Sequence, residues 1–363
     1  MVSKKILWLM AAVAIAAFGR NTPKLVPVPS DPLEIATGQI QVVDSPADRE
    51  RILELLARAR NSYALRSSNL GYDLKVTFTV NSGGETQYDG TWEMEDISVP
   101  TLGLRWTAKA GAGYTTTQIS TTGVFYAEGT SSTIPLRLQE ARAALLGPIP
   151  SVANVNRAYI RTSTATFHGA PVTCVLLSGP GGAKNATPAR SWEETEDCID
   201  PQSGLLQMQS QVPGRYYAYD YTNAPQLGAY VMPHKITVTE AGKTVSEISV
   251  ASLKELTTAD PSLFQPTEAM EAAGEAVAMA GAQKISRESG KIPANVTIRP
   301  VCIFGLVTAT GKLVEAHSLQ PTDPNSPAAL EAVEKMNFSQ PAKPGARPQQ
   351  HFVFVVEGFV AGQ

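Results

Sequence analysis

Polar and apolar residues alternate through most of the middle of this chain. The segment Tyr72–Val80 reads YDLKVTFTV, which places Leu74, Val76 and Phe78 on one face of a strand. A turn follows at residues 81–84, and similar alternation recurs down to residue 256. Because helical patterns do not separate consecutive strands, we predict an α+β fold built on one large curved antiparallel sheet, a half-barrel. The further strands are predicted at Thr86–Asp96, Gly103–Ala110, Tyr114–Ser120, Gly123–Ala127, Arg157–Phe167, Val172–Ser178, Glu194–Asp200, Leu205–Val212, Arg215–Tyr221, Tyr230–Glu240 and Thr244–Leu256.

Two helices accompany the strands, one before the first strand and one in the middle of the series. Ser45 and Pro46 are typical of a helix N-cap and first turn, and apolar residues recur at helical spacing from Ile52 to Tyr63. A second helix is predicted at Thr133–Leu146. A sheet too wide to fill with its own side chains leaves an apolar cleft. Two outcomes stay open: a ligand enters this cleft, or the two helices plug it.

The N-terminus is typical of an export signal. Lys4 and Lys5 precede an apolar run from Ile6 to Phe18, and Gly19 follows. Residues 1–19 are therefore predicted to be a cleaved signal peptide, and the Pro-rich segment 20–44 an extended tether. The alternative is a retained inner-membrane anchor facing the periplasm, although the run is shorter than the roughly 20 residues that span a bilayer. The expected location is the periplasm.

Length and charge restrict the organisation and the partners. A chain of 363 residues is longer than a domain with a single hydrophobic core usually is. We therefore expect two folded units, at 45–266 and 293–363. Segment 267–292 is predicted to be a helical connector followed by a polar linker from residue 284. The net charge is -3 and no long basic run occurs, which argues against nucleic acid as a partner.

Cysteines are the first candidates for redox chemistry. Cys174 and Cys198 lie in successive predicted strands, and an exported protein would oxidise them if those strands pair as a hairpin. We expect a structural disulfide, with two buried thiols as the alternative. No C-x-x-C motif occurs, so a redox function is not expected. Cys302, in an apolar strand, is expected to be a small core residue.

Catalytic and metal-binding patterns were not found in the sequence. The histidines are His168, His234, His317 and His351. They share no metal-ligand spacing, which favours surface or strand-end roles. No nucleophile elbow, phosphate-binding glycine loop or dinucleotide fingerprint occurs. We therefore predict no catalytic, cofactor-binding or metal-binding residue.

Aromatic residues concentrate in one predicted strand. Tyr216, Tyr217, Tyr219 and Tyr221 lie within seven residues and alternate across its two faces. They line the path of a hydrophobic ligand in one interpretation and pack the sheet in the other.

The order of elements in the first unit resembles a known superfamily. After the export signal, an N-terminal helix is followed by a long antiparallel meander that contains a second helix. The meander ends in the phrases MPHKITVTE at 232–240 and DPSLFQP at 260–266. From Ser45 to Pro266 this resembles the LolA/LolB-like lipoprotein carriers and sensors of bacterial envelopes. The resemblance implies a half-barrel wrapped around helices, with a lipid or acyl chain as ligand.

The last part of the chain carries a second pattern. A strand reaches the turn at Gly311, and the return strand, the helical run AALEAV at 328–333, the phrase FSQPA at 338–342 and a final strand at 351–359 follow. Across 296–359 this order resembles the C-terminal domain of TonB-type energy transducers, a small β-β-α-β domain. The family's opening Tyr-Pro pair, its energy-harvesting helix and its long spacer are absent, which favours a recognition module over a transducer.

The two resemblances together imply a function. In the TonB-type family the last strand pairs with an extended peptide of an outer-membrane receptor. The corresponding residues here are Phe352, Val353, Phe354, Val355 and Val356. We expect a non-enzymatic periplasmic binding or carrier protein with an apolar ligand in its β domain, which docks to an envelope protein through its terminal domain. The alternative is a TonB-like energy transducer or transport accessory with a retained anchor.

Overall fold

The computed structural model describes residues 24–25, 40–81, 88–111, 113–121, 123–131, 133–179, 190–192, 194–276, 284–289, 297–308, 310–338 and 350–360. The predicted signal peptide, residues 1–19, lies outside these ranges. The strands are β1 Lys24–Leu25, β2 Gln41–Val42, β3 Tyr72–Val80, β4 Gly90–Val99, β5 Gly103–Ala110, β6 Tyr114–Thr121, β7 Val124–Gly129, β8 Tyr159–Phe167, β9 Ala170–Ser178, β10 Thr195–Ile199, β11 Leu206–Val212, β12 Arg215–Asp220, β13 Gln226–Leu227, β14 Tyr230–Val231, β15 Lys235–Glu240, β16 Lys243–Glu255, β17 Lys284–Ser289, β18 Thr297–Val307, β19 Leu313–Ser318 and β20 His351–Val360. The helices are α1 Pro46–Ser62, α2 Leu136–Leu146, α3 Val152–Arg157, α4 Glu268–Ala273 and α5 Ser326–Glu334.

Thirteen of the described strands form one antiparallel sheet. Their order is β2-β8-β9-β10-β11-β12-β15-β16-β3-β4-β5-β6-β7, and the outermost strands β2 and β7 do not pair, so the sheet is open. In β3 the alternation of the sequence becomes an alternation of burial, with every second side chain buried. The predicted large antiparallel sheet is confirmed.

Helix α1 begins as its sequence predicts. The Ser45 hydroxyl accepts a hydrogen bond from the Asp48 backbone N–H at 3.0 Å, and Pro46 opens the first turn. Its apolar stripe, including Ile52 and Leu56, is buried against the sheet. In the part of the chain that the structure describes, every helix is too short or too polar to cross a membrane.

Helix α2 is buried on all sides, because it lies between the large sheet and a second sheet. Leu138 and Leu145 belong to the core of the large sheet, whereas Leu136 packs with side chains of the C-terminal strands. Gln350, the residue before β20, satisfies its N-terminus: the Leu136 backbone N–H donates to Gln350 Oε1 at 2.8 Å, and Gln139 Nε2 donates to the Gln350 carbonyl oxygen at 3.1 Å.

The C-terminal sheet contains the predicted strand–strand–helix–strand order as β18, β19, α5 and β20. Strand β18 pairs with β20 on one edge and with β19 and β1 along the other. One face of this sheet is covered by α5, and Val353 and Val355 lie there. The opposite face carries Phe304, Phe352 and Phe354, which pack against the α2 side of the large unit.

Short pieces of two segments predicted to be extended or linking pair as strands. Within the predicted tether, β1 pairs with β18 and β2 pairs with β8, so these residues are fixed by backbone hydrogen bonds. Residues 284–289, predicted to be polar linker, form β17, which pairs in parallel with β20. Among the described residues of the connector, the α-helix is Glu268–Ala273, and the Ala276 N–H donates to the Phe125 carbonyl oxygen at 2.7 Å.

Candidate functional site

The concave face of the large sheet is the predicted ligand cleft. Ile52 and Leu56 of α1, Leu138 and Leu145 of α2, and Trp92 of the sheet belong to one apolar core and are at most 1% exposed. The two helices therefore fill the middle of the cleft. A bound ligand has to lie beside them or displace them.

The predicted ligand-lining tyrosines are divided between the two faces of β12 and its end. Tyr216 is on the convex face, and Tyr217 and Tyr219 are on the concave face, each 2% exposed. Tyr217 Oη accepts a hydrogen bond from Arg215 Nη1 at 2.9 Å. Tyr221 Oη donates to the Leu206 carbonyl oxygen at 2.7 Å and contacts the Tyr63 hydroxyl. These contacts are those of packed tyrosines, and a ligand-lining role stays a prediction.

A polar group interrupts the apolar concave face at Asp197. This side chain is fully buried, and its Oδ1 accepts a hydrogen bond from Gln209 Nε2 at 2.8 Å. Burial raises the pKa of Asp197 to about 6. Within the described ranges, Asp197 Oδ2 and the Tyr219 hydroxyl have no hydrogen-bond partner. Burial, together with the nearby Tyr63 and Asp197, raises the pKa of Tyr219 well above its ordinary value.

An open cavity of about 430 Å³ lies under α3, at the adjacent ends of β9 and β10. Val155, Ala158 and Leu177 form its apolar wall and continue into the main core. Thr195, which is paired with Leu177, also lines it, and Asp197 follows two residues later on the same face of β10. The exposed Val152, at 55%, lies in α3 above it. This cavity, called the α3 cavity below, is the candidate ligand site.

The predicted disulfide is confirmed. Cys174 and Cys198 are directly opposite each other in β9 and β10, and their sulfur atoms are bonded. Both are fully buried on the convex face, away from the α3 cavity. Cys302 is buried against α2, as expected of a core residue.

The predicted partner strand lies inside its sheet. Phe352, Val353, Phe354 and Val355 are each at most 1% exposed, and Val356 pairs through its backbone with β18 and β17. Both edges of β20 therefore have neighbours. Strand addition at these residues requires β17 to leave its place.

Two groups of potential metal ligands occur among the described residues. Cys174 and Cys198 with Glu196 form one, and the disulfide uses both sulfur atoms. The other consists of Glu240 from the large sheet with Glu315 and His317 from β19. No histidine spacing in the sequence indicates this second group. The local signal is the pair Glu315-x-His317, whose two side chains share one face of a strand.

Several solved structures are similar to part of this chain at low identity. A putative outer membrane lipoprotein-sorting protein domain from Vibrio parahaemolyticus is 12% identical, with 60% of this chain and 95% of that chain covered and a TM-score of 0.34. A LolA superfamily protein from Nitrosomonas europaea is 10% identical, with 59% and 96% covered and a TM-score of 0.35. A DUF1329 family protein from Desulfovibrio piger is 8% identical, with 60% and 97% covered and a TM-score of 0.37. No protein-family model and no curated protein matches the chain.

Proposed function

We propose that this protein is a non-enzymatic binding or carrier protein of the bacterial envelope, which holds an apolar ligand in its large β unit. The α3 cavity is the observation that carries the proposal. Its volume of about 430 Å³ is within the range of small-ligand pockets, and most of its wall surface is apolar. The cavity is open to solvent, so the apolar chain of a ligand enters beside helices α1 and α2 without displacing them.

The polar end of the site supports a ligand with one polar head group. Asp197 Oδ2 and the Tyr219 hydroxyl are buried and have no partner among the described residues, and buried polar groups normally have one. Thr195 of the cavity wall and Asp197 are two residues apart on one strand face, a rise of about 7 Å. A hydroxyl at the inner end of an acyl chain would satisfy both groups, because it donates to Asp197 Oδ2 and accepts from the Tyr219 hydroxyl.

Filling the cavity tests this proposal. In Ala158→Trp a large side chain replaces a half-buried wall residue, and Thr107→Trp places the same side chain in a groove of about 580 Å³ on the convex face. A fluorescent long-chain alcohol is titrated into each delipidated full-length protein. We expect Ala158→Trp to weaken binding at least tenfold and Thr107→Trp to leave it unchanged. Equal affinities for all three proteins, or no binding to the wild type, would overturn the proposal.

Docking of an envelope protein to the C-terminal sheet is the second part of the proposal. Among the described strands β17 pairs with β20 alone, through a parallel ladder, which is slightly weaker per residue than an antiparallel one. An incoming strand therefore adds at β17 or takes its place. A photo-crosslinking residue at Ser286 in β17 should form one defined adduct in intact cells, whereas the same residue at the exposed Glu331 of α5 should not. Absence of a Ser286 adduct, or equal adducts at both positions, would count against docking.

A further inference from the structure

A second cavity, of about 670 Å³, lies where the large sheet meets the C-terminal sheet. Glu240 and Lys243 contribute to its wall from the β15–β16 hairpin, and Glu315 and His317 contribute from β19. We call it the junction cavity. It contains more ionisable groups than the α3 cavity, and neither part of the proposed function uses it.

The ionic cluster behind the junction cavity is nearly balanced. Arg137 Nη1 is 3.1 Å from Glu140 Oε2 and 2.9 Å from Glu240 Oε1. Arg215 is 2.5 Å from Glu140 Oε1 and 2.7 Å from Glu240 Oε1. Burial would raise the pKa of Glu240, but the two arginines outweigh it and hold that pKa well below its ordinary value. Two arginines thus match two carboxylates, and a third carboxylate, Glu315, is left over among the described residues.

The orientation of His317 follows from Glu240. The imidazole Nε2 is 3.0 Å from Glu240 Oε2, so the Nε2–H donates to that carboxylate. Nδ1 is then the ring nitrogen left to bind a metal ion, and it is 3.6 Å from Glu315 Oε1. A carboxylate that holds one imidazole nitrogen while the other nitrogen is presented as a ligand is the usual outer-shell arrangement of metal-binding histidines.

Glu315 has an unsatisfied carboxylate. Its side chain is 5% exposed, and neither oxygen has a hydrogen-bond partner in the described part of the chain. The nearest guanidinium nitrogen, Arg137 Nη2, is 3.7 Å away and belongs to an arginine already paired with Glu140 and Glu240. A carboxylate charge that is buried without a hydrogen-bond partner is costly unless a cation balances it.

We propose that His317 Nδ1 and the Glu315 carboxylate bind a divalent transition-metal cation of the Zn²⁺ class at the wall of the junction cavity, with Glu240 as the positioning residue for the imidazole. Nitrogen and carboxylate ligands bind Zn²⁺ at about 2.0–2.2 Å, so two of them are separated by roughly 3–3.5 Å. The observed 3.6 Å between Nδ1 and Oε1 is close to that range and too long for a hydrogen bond. Water, or a polar group of a molecule in the cavity, completes the coordination.

Metal titration of the full-length, EDTA-treated protein tests the proposal. Zn²⁺ is added in a calorimeter, and Co²⁺ is used as a spectroscopic substitute whose visible bands report coordination by protein ligands. We expect one equivalent to bind, and Glu315→Gln and His317→Ala each to weaken binding at least tenfold. Glu331→Gln and His234→Ala, at exposed positions, are the matched controls and should bind like the wild type.

Each outcome decides the proposal. Absence of binding to the wild type, or binding that neither Glu315→Gln nor His317→Ala weakens, overturns it. The near-ultraviolet circular dichroism of each variant is compared with that of the wild type, so that loss of the fold is not mistaken for loss of the site. If one variant does not fold, the other decides alone, together with a shift of the His317 imidazole NMR signals of the wild type on addition of Zn²⁺. Binding of the fluorescent alcohol is measured separately, so failure of the metal site leaves the α3 cavity proposal standing.

Discussion

Replacing Asp197 by Asn should make the protein more stable near neutral pH. The carboxyl is fully buried on the concave face, and burial raises its pKa from 3.8 to about 6. Its ionised form is therefore penalised in the folded state relative to the unfolded chain. Asn has the same shape, keeps an oxygen to accept the hydrogen bond from Gln209 and does not ionise.

The difference between the folded and unfolded pKa of Asp197 sets the magnitude and the sign of the expected change in the free energy of unfolding. A rise from 3.8 to about 6, at about 1.36 kcal/mol for each pH unit, corresponds to roughly 3 kcal/mol. Because the folded-state pKa is raised, the contribution of wild-type Asp197 to stability is fully present below pH 3.8 and is lost as the pH rises through about 6. The advantage of Asp197→Asn should thus be near zero at pH 4, grow between pH 4 and 6, and be constant above pH 7.

Urea unfolding of both proteins at several values between pH 4 and pH 8 measures this difference. Asp200→Asn, three residues further on, is a control for which the expected change in stability has the opposite sign. Burial would raise the pKa of Asp200, but hydrogen bonds from Ser203 and the Gln202 N–H outweigh it and lower that pKa. Asp200→Asn should therefore destabilise the protein at pH 7, by an amount that shrinks as the pH falls. A difference between wild type and Asp197→Asn that does not change with pH would refute the reasoning.

Three further predictions concern stability. Replacing Cys174 and Cys198 together by Ala should lower the free energy of unfolding in urea by about 3 kcal/mol, because their disulfide closes a loop with a sequence separation of 24; unchanged denaturation midpoints would contradict this. Gly214→Ala should lower the melting temperature by more than Gly242→Ala. Both glycines have positive φ, but only at Gly214 would a Cβ lie 2.7 Å from a carbonyl oxygen of the C-terminal unit. Equal losses in melting temperature would show that the backbone relieves this close contact without cost. Arg215→Met should cost roughly 3–5 kcal/mol in urea unfolding, because it leaves buried carboxylates without their cation; a loss below about 1 kcal/mol would contradict that pairing.

The strands of the large sheet were predictable wherever alternation is uninterrupted. The predicted bounds of Tyr72–Val80 and Gly103–Ala110 agree with β3 and β5. The predicted strand Tyr230–Glu240 is instead divided into β14 and β15, because Pro233 between them has no N–H for the ladder. Helix α3 was missed, since six residues are too few to show a helical period.

Long-range pairing explains the larger errors. Strand β17 is short and polar, and its partner β20 lies more than sixty residues later, so no local pattern distinguishes it from a linker. The junction cavity was not predictable for the same reason, because no local pattern connects its residues. Glu240 and His317 are far apart in sequence and come into contact where α2 packs between the two sheets. The disulfide was predictable because hairpin pairing is local.

The contacts of α2 with Gln350 have a consequence for how this protein is made. They join residues 214 and 211 positions apart, so α2 leaves the ribosome long before the residue that completes its N-terminus. At synthesis rates of about 5–20 residues per second, the delay is roughly 10–40 s. Wherever the chain folds, a half-barrel that forms before β20 arrives holds a helix with an uncovered apolar side. A chain that stops before β20 would present that surface permanently, and proteases would distinguish it from a finished molecule.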